Sequence, residues 1–243
     1  MKIFLAGATG AIGKRLVPLL VDAGHEVVGT TRSKSNCNAL CAAGAEPVVV
    51  DVFDPAALSR VVAAARPAIL VDQLTDLPHG LDPNQMAEGT RRNARMRREG
   101  TQNLVAAALQ AGVHRVVAQS IAWMYPPDPR PHTEDDPLDV HAEGDRAITV
   151  EGVAALERLT LSSSQIRGTV LRYGHLYGPG TGVHSVPEAP SLHVDAAASA
   201  VLLVIGKEHP GVYNIAEQSG YLSIAKARNE LGFDPDFRLD ARG

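Results

Sequence analysis

The chain has 243 residues, 45% of them hydrophobic and 21% charged, with a formal net charge of -4, and it is long enough for one large domain around a sizeable core. That balance is typical of soluble globular proteins and excludes a general affinity for nucleic acid, which needs a basic surface. The longest apolar run, AAASAVLLVIG from Ala196 to Gly206, falls far short of the ~20 residues of a membrane-spanning helix, so it reads as a buried helix and no membrane partner is expected.

The amino terminus, MKIFLAGATGAIG, has the lysine and apolar residues of a secretory signal, but glycines stand at regular spacing where a continuous apolar segment should be. A cytoplasmic strand and turn is expected instead. From there to about residue 120, short β-branched runs alternate with helical patterns: KIFLA then GKRLVPLLVDAG, EVVGT then a helix near Asn36 to Ala43, EPVVVD then PAALSRVVAAA, AILVD then a long helix ending near Gly112, and RVVAQ. Continuous apolar strands separated by helices predict a parallel sheet covered on both faces, with right-handed crossovers. Cys37 and Cys41 lie in the second helix with no other cysteine in the chain, so they read as reduced thiols, not a disulfide framework or zinc site.

After Gln119 the regularity breaks. The segment YPPDPRPHTEDDPLDV, Tyr125 to Val140, holds five prolines and five acidic residues and reads as loop. A helix follows from about Asp145 to Ser162, within 143–163, then the strand GTVLRY, the glycine-rich loop GHLYGPGTG, a helix from about Asp195, the short strand GVYNIA, and a final helix SIAKARNELG stopped by Gly232. The expected fold class is therefore α/β: a Rossmann-type doubly wound parallel sheet over residues 1–172 as dinucleotide-binding domain. Residues 173–243 are expected to form a small C-terminal substrate-binding subdomain interleaved with the same core.

GATGAIG places Gly7, Gly10 and Gly13 three apart, directly after a strand and at the opening of a helix. Glycine permits the tight turn and lets the backbone approach a pyrophosphate, which the free N–H groups and dipole of the helix N-terminus attract. Gly7, Thr9, Gly10, Ala11, Ile12 and Gly13 are thus candidate cofactor-binding residues. The second strand runs EVVGTTRS with no acidic residue at its end, and Arg32 stands there between Thr31 and Ser33. A basic residue at this place accepts a ribose 2′-phosphate, so NADP(H) is favoured over NAD(H). Ligands of open α/β sheets bind at the carboxyl ends of the strands, which adds Gln73, Leu74, Thr75 and Tyr173 to the expected cofactor site.

With these residues in hand, the chain resembles the short-chain dehydrogenase/reductase superfamily, specifically its extended or atypical branch of NAD(P)-dependent epimerase/dehydratase-like proteins. GATGAIG is similar to that branch's glycine motif, Asp51-Val52 to its adenine contact, and EGTQNLVAAALQAGVHRVV to its fourth helix and fifth strand. PHTEDDPL, LRYGHLYGPG, HVDAAASAV and GVYNIA resemble later segments in the same order. The resemblance implies a Tyr-x-x-x-Lys pair on one helix face, in which lysine lowers the tyrosine pKa and holds the nicotinamide ribose, together with a Ser or Thr near the fifth strand. Aligned on Glu157, which matches the glutamate following the family's lysine, TVEGVAALER puts Thr149 and Val153 in the places of tyrosine and lysine. Neither can do that work: valine carries no charge, and a threonine hydroxyl is a poor acid near neutral pH. None of the five tyrosines is followed by lysine at the fourth position.

The serine has two readings. The strand end indicates Ser120; counting back from Tyr125 indicates Ile121, and the strand end is preferred because loop lengths vary. Tyr125 and then His175 are the candidate proton donors, since both carry a labile proton and are expected near the cleft. No metal is expected: His132, His141, His184 and His193 do not pair at ligand spacing on one element. Arg91, Arg95 and Arg98 share a helical face that reads as solvated. The resemblance implies that this helix can pack in a homodimer.

Only about ten residues, VHSVPEAPSL, separate GPGTG from HVDAA, where the resemblance leads one to expect a longer nucleotide-sugar grip. The expected partner is thus a small organic substrate, not a nucleotide sugar, held by the Pro-rich loop, Trp123 and Met124. The leading functional expectation is an atypical oxidoreductase of this superfamily with a non-family catalytic set, with isomerase or dehydratase chemistry open; the alternative is a non-catalytic NADP(H) sensor or regulator.

Overall fold

The computed structural model describes residues 1–128 and 131–239, the His79 side chain excepted. Two positions of the expected Pro-rich loop, 129–130, and the end of the expected C-terminal subdomain, 240–243, lie outside the described residues.

The apolar runs form the strands of one parallel sheet: β1 (Lys2–Ala6), β2 (Glu26–Thr31), β3 (Glu46–Val49), β4 (Ile69–Asp72), β5 (Arg115–Ile121), β6 (Arg167–Tyr173) and β9 (Gly211–Ile215), in the spatial order β3-β2-β1-β4-β5-β6-β9. The central strands carry continuous apolar runs, at residues 3–6, 69–71 and 116–118, because helices cover both faces. On one face α1 (Ala11–Asp22) and α7 (Val194–Lys207) pack with Leu16, Val17, Val201 and Val204 in the core; on the other, α3 (Pro55–Ala65) and α5 (Thr101–Gln110) bring Leu58, Val62, Leu104 and Ala108. Strand order reverses between β1 and β4, and that switch point opens the crevice in which ligands of such sheets bind.

Local chemistry sets several ends. Asp54 caps α3 by accepting from Ala57 N at 2.9 Å, with Pro55 at the first helical position. His193 caps α7 by accepting from Asp195 N at 3.2 Å. The short α2 (Cys37–Ala42) carries both free thiols. The long helix expected before Gly112 is α4 (Met86–Arg95) and α5 joined by a π-helical turn at Met96–Gly100, and the last helix is wound the same way at Ala227–Leu231. The helix expected over 143–163 is α6 (Gly144–Leu161), which packs against α4 so closely that a Cβ on Gly152 would meet Ala94 Cα at 3.0 Å. Beyond residue 173 the chain forms a separate two-stranded sheet, β7 (His175–Tyr177) with β8 (Ser191–His193), and then returns through α7 and β9 to the main sheet and core.

Candidate active site

The glycine-rich turn is built to bring backbone against backbone. Gly7 has φ +87°, a conformation that favours glycine, and a Cβ there would lie 2.6 Å from Gln73 O. On Gly13 a Cβ would lie 2.3 Å from Gly7 O. This packing draws the first turn of α1 onto the ends of β1 and β4 and leaves a pocket of about 150 Å³. Of the expected cofactor residues, Gly7, Thr9, Gly10, Arg32, Val52, Gln73, Leu74 and Thr75 line it. Thr30, Thr31, Val50, Leu58, Met96 and Leu104 also line it; sequence reasoning missed them, although the strand-end register of β2 and β3 carried the signal for three of them. Gln73 is 5% exposed, its amide N and O make no hydrogen bond of good geometry among the described residues, and the buried Tyr173 hydroxyl lies beside it. A buried amide with unused hydrogen-bonding capacity in a pocket that also receives the Gly7 and Gly10 backbone fits a polar ligand such as a dinucleotide.

Other expected cofactor residues are not part of the pocket lining. Ala11, Ile12 and Gly13 do not line the pocket; Ile12 is 4% exposed and faces the core. Asp51 is exposed and turns back to accept from Phe53 N at 2.9 Å. Tyr173 is 1% exposed, with its hydroxyl directed to Ala197 O at 3.4 Å, and burial pushes its phenol well above the ordinary range.

The expected catalytic residues do not line this pocket. The structure brings neither Ser120 nor Tyr125 to the pocket. Ser120 is fully buried and donates to Glu157 Oε1 at 2.7 Å; Arg172 holds the same carboxylate through Nε at 2.9 Å and Nη2 at 2.7 Å. Arg172 Nη1 also reaches Tyr125 OH at 2.6 Å, and that hydroxyl donates to Asn214 Oδ1 at 2.7 Å. Burial raises the Tyr125 pKa, and His132 stacks on its ring at 4.7 Å. Burial opposes the charge on Arg172, but its bonds to Glu157 outweigh it and keep the guanidinium protonated. These side chains form a closed internal network that ties β5, α6, β6 and β9 together.

Asp72, at the end of β4, is a second buried charge. It accepts from Leu74 N at 3.0 Å and Thr101 Oγ1 at 3.0 Å, yet burial raises its pKa to about 6, and burial likewise lowers the neighbouring Arg97 to about 10. A carboxyl with a folded pKa above its unfolded value binds more protons in the folded state, so stability falls as pH rises from about 4 through about 6. The span of that fall is on the order of 3 kcal/mol. Asp72→Asn is expected to flatten it, as measured by chemical denaturation at pH 4, 5, 6 and 7.

On α6, Thr149 donates its hydroxyl to Asp145 O at 3.1 Å, and Val153 is fully buried. Val153 packs with Ile121, Met124 and Val150, and Trp123 covers the same cluster. Ile121, the residue indicated by counting back from Tyr125, therefore lies with Val153 in one apolar group. His175 is half-buried, which lowers its pKa, and its ring stacks on Trp123 with centroids 3.9 Å apart and planes at 19°. Among the described residues, no three His, Cys, Asp or Glu side chains are grouped to hold a metal. Arg91 and Arg95 pair with Glu88 and Glu99 on their own helical segment at 2.9 and 2.8 Å, a solvated face. No helix among the described residues is long and apolar enough to cross a membrane.

Residues 3–190 match the NAD dependent epimerase/dehydratase family. Among curated proteins, the chain is 40% identical over 239 residues to a 3-diazoavenalumate denitrifying reductase from a Streptomyces species, covering 89% of this chain and 76% of the relative. Among solved structures it is similar in fold to a UDP-glucose 4-epimerase from Thermotoga maritima at 18% identity and a TM-score of 0.76, covering 98% of this chain and 95% of the other. A dTDP-glucose 4,6-dehydratase from Streptomyces venezuelae with NAD bound has the same identity and TM-score, covering 98% and 93%.

Proposed function

Because the chain belongs to the NAD-dependent epimerase/dehydratase family of enzymes, we propose that it is a nicotinamide-dependent reductase of a small organic electrophile that accepts hydride without needing a proton from the enzyme. The observation that carries this reading is the apolar cluster that holds Val153, at the position where the family resemblance calls for the lysine, together with Ile121, the residue that counting back from Tyr125 puts at the hydroxyl position; the strand-end alternative, Ser120, is buried and donates to Glu157. Addition of hydride to a carbonyl leaves an alkoxide that must be protonated, the work of an enzymic acid. Addition to a cation such as an iminium or a diazonium leaves a neutral species and makes no such demand. The name of the Streptomyces relative, a denitrifying reductase of a diazo compound, supports an acceptor of the second kind.

The dinucleotide would be held by the Gly7 to Gly13 turn, Gln73 and Val52, with Arg32 and Thr31 at the ribose end; when bound it supplies the hydride. Arg32 is largely exposed and lies 3.9 Å from Asp76, and the position of a guanidinium there supports preference for the 2′-phosphate of NADP(H). The short segment between GPGTG and HVDAA supports a small substrate over a nucleotide sugar. A non-catalytic sensor finds no support beside a reductase relative of this identity.

The experiment is cofactor consumption with matched acceptors. NADPH is expected to be oxidised with a para-substituted benzenediazonium or a cyclic iminium and not with cyclohexanone, and Arg32→Ala is expected to weaken NADPH binding about tenfold while leaving NADH nearly unchanged. Turnover of the ketone alone would overturn the hydride-only reading; tighter binding of NADH by the parent would overturn the cofactor preference.

A further inference from the structure

Trp123 and His175 extend from the carboxyl ends of adjacent strands. Ile121 and Tyr173 are paired in the sheet, Ala122 N donates to Tyr173 O at 2.8 Å, and the two rings follow within two residues on each strand. Their stack continues the apolar group of Ile121, Met124, Val150 and Val153. His175 N is anchored to Pro190 O at 2.6 Å, which brings the segment carrying Glu188, two residues earlier, beside the stack. The nearby guanidinium of Arg146, bonded to Trp123 O at 3.1 Å and Tyr125 O at 2.8 Å, is neutralised by Asp139 Oδ2 at 2.8 Å.

We infer that the Trp123–His175 stack is a binding platform for a planar cationic group of the substrate, with Glu188 as its counter-charge. The inference rests on the hydride-only reading and names the substrate class that it serves. An indole face attracts a cation through its quadrupole, and Val153 adds no positive charge to compete. Burial lowers the His175 pKa while the Glu188 carboxylate works in the opposite direction, so near pH 8 the imidazole is neutral and presents a second aromatic surface. A lysine at position 153 would repel such a substrate; its replacement by valine, which removes the family's proton chemistry, also makes room electrostatically for a cation.

Trp123 is the chain's single tryptophan, so its fluorescence reports on the platform directly. The protein saturated with NADP+, so that no turnover occurs, is titrated at pH 8 with N-methylquinolinium and with neutral quinoline. Saturable quenching is expected from both, with the cation binding about tenfold more tightly. Glu188→Gln, at an exposed position, and His175→Ala, which removes one ring of the stack, are each expected to narrow that ratio to about threefold. Equal affinities, no saturable quenching, or a ratio unchanged in both variants would overturn the platform. Because the readout is binding without reaction, it stands apart from the hydride-only reading, which falls instead if a proton from an enzyme side chain limits turnover.

Discussion

Gly13→Ala is expected to abolish useful dinucleotide binding, lowering affinity on the order of 100-fold, and to destabilise the fold by on the order of 3 kcal/mol. The new Cβ would lie 2.3 Å from Gly7 O and 2.6 Å from both Ala8 C and O, all backbone atoms. No rotamer can relieve an overlap with backbone, so α1 must move away from the β1 turn and carry its N-terminal N–H groups out of register with the pocket. Gly206→Ala is the control. It lies in α7 with nothing within 4 Å of its added Cβ, and helix propensity alone makes it neutral or stabilising by about 1 kcal/mol. Calorimetric titration with NADPH and urea denaturation check both variants, and a Gly13→Ala protein that binds NADPH like the parent would remove the turn from the cofactor site.

The second large effect is at the internal network. Glu157→Ala is expected to cost about 3 to 5 kcal/mol in unfolding free energy, because it leaves the buried Arg172 guanidinium without its carboxylate. Glu157 is 6% and Arg172 5% exposed, and the acid accepts three hydrogen bonds from Ser120 and Arg172. In the double variant Glu157→Leu/Arg172→Met both charges go together, and its loss should be smaller than the sum of the single losses. Urea unfolding monitored by circular dichroism checks the series. A loss below about 1 kcal/mol for Glu157→Ala would mean that the carboxylate is not the counter-ion that holds β5, α6 and β6 together.

These two sites mark what the sequence does and does not disclose. The glycine turn is local: three glycines at fixed spacing, a preceding apolar strand and a following helix are all within Lys2 to Asp22, so residue type and spacing carry the whole signal. The network is not local. Ser120 meets Glu157 across 37 residues, Tyr125 meets Arg172 across 47, and Tyr125 meets Asn214 across 89. A labile proton at a strand end suggested chemistry for Ser120 and Tyr125, but the partners that consume their hydrogen-bonding capacity appear only when the strands are assembled. The strand end favours Ser120 over Ile121, the residue reached by counting back from Tyr125, and the sequence cannot show that Ile121 and Val153 share one apolar cluster. The π-helical turn between α4 and α5 left no residue-type signature, because a change of hydrogen-bond step needs no special side chain.

The central proposal is that hydride is delivered without an enzymic proton donor, and isotope effects test it most directly. Turnover of a cyclic iminium probe, which takes the hydride at carbon, is measured with NADPH and with NADPH deuterated at the transferring C4 position, each in H2O and in D2O. Hydride-only reduction gives a slower reaction and deuterium in the product with the labelled cofactor, and an unchanged rate in D2O. A marked slowing in D2O that disappears when Tyr125, Thr149 or His175 is replaced would contradict it, since a proton from that side chain would then be moving in the step that limits turnover.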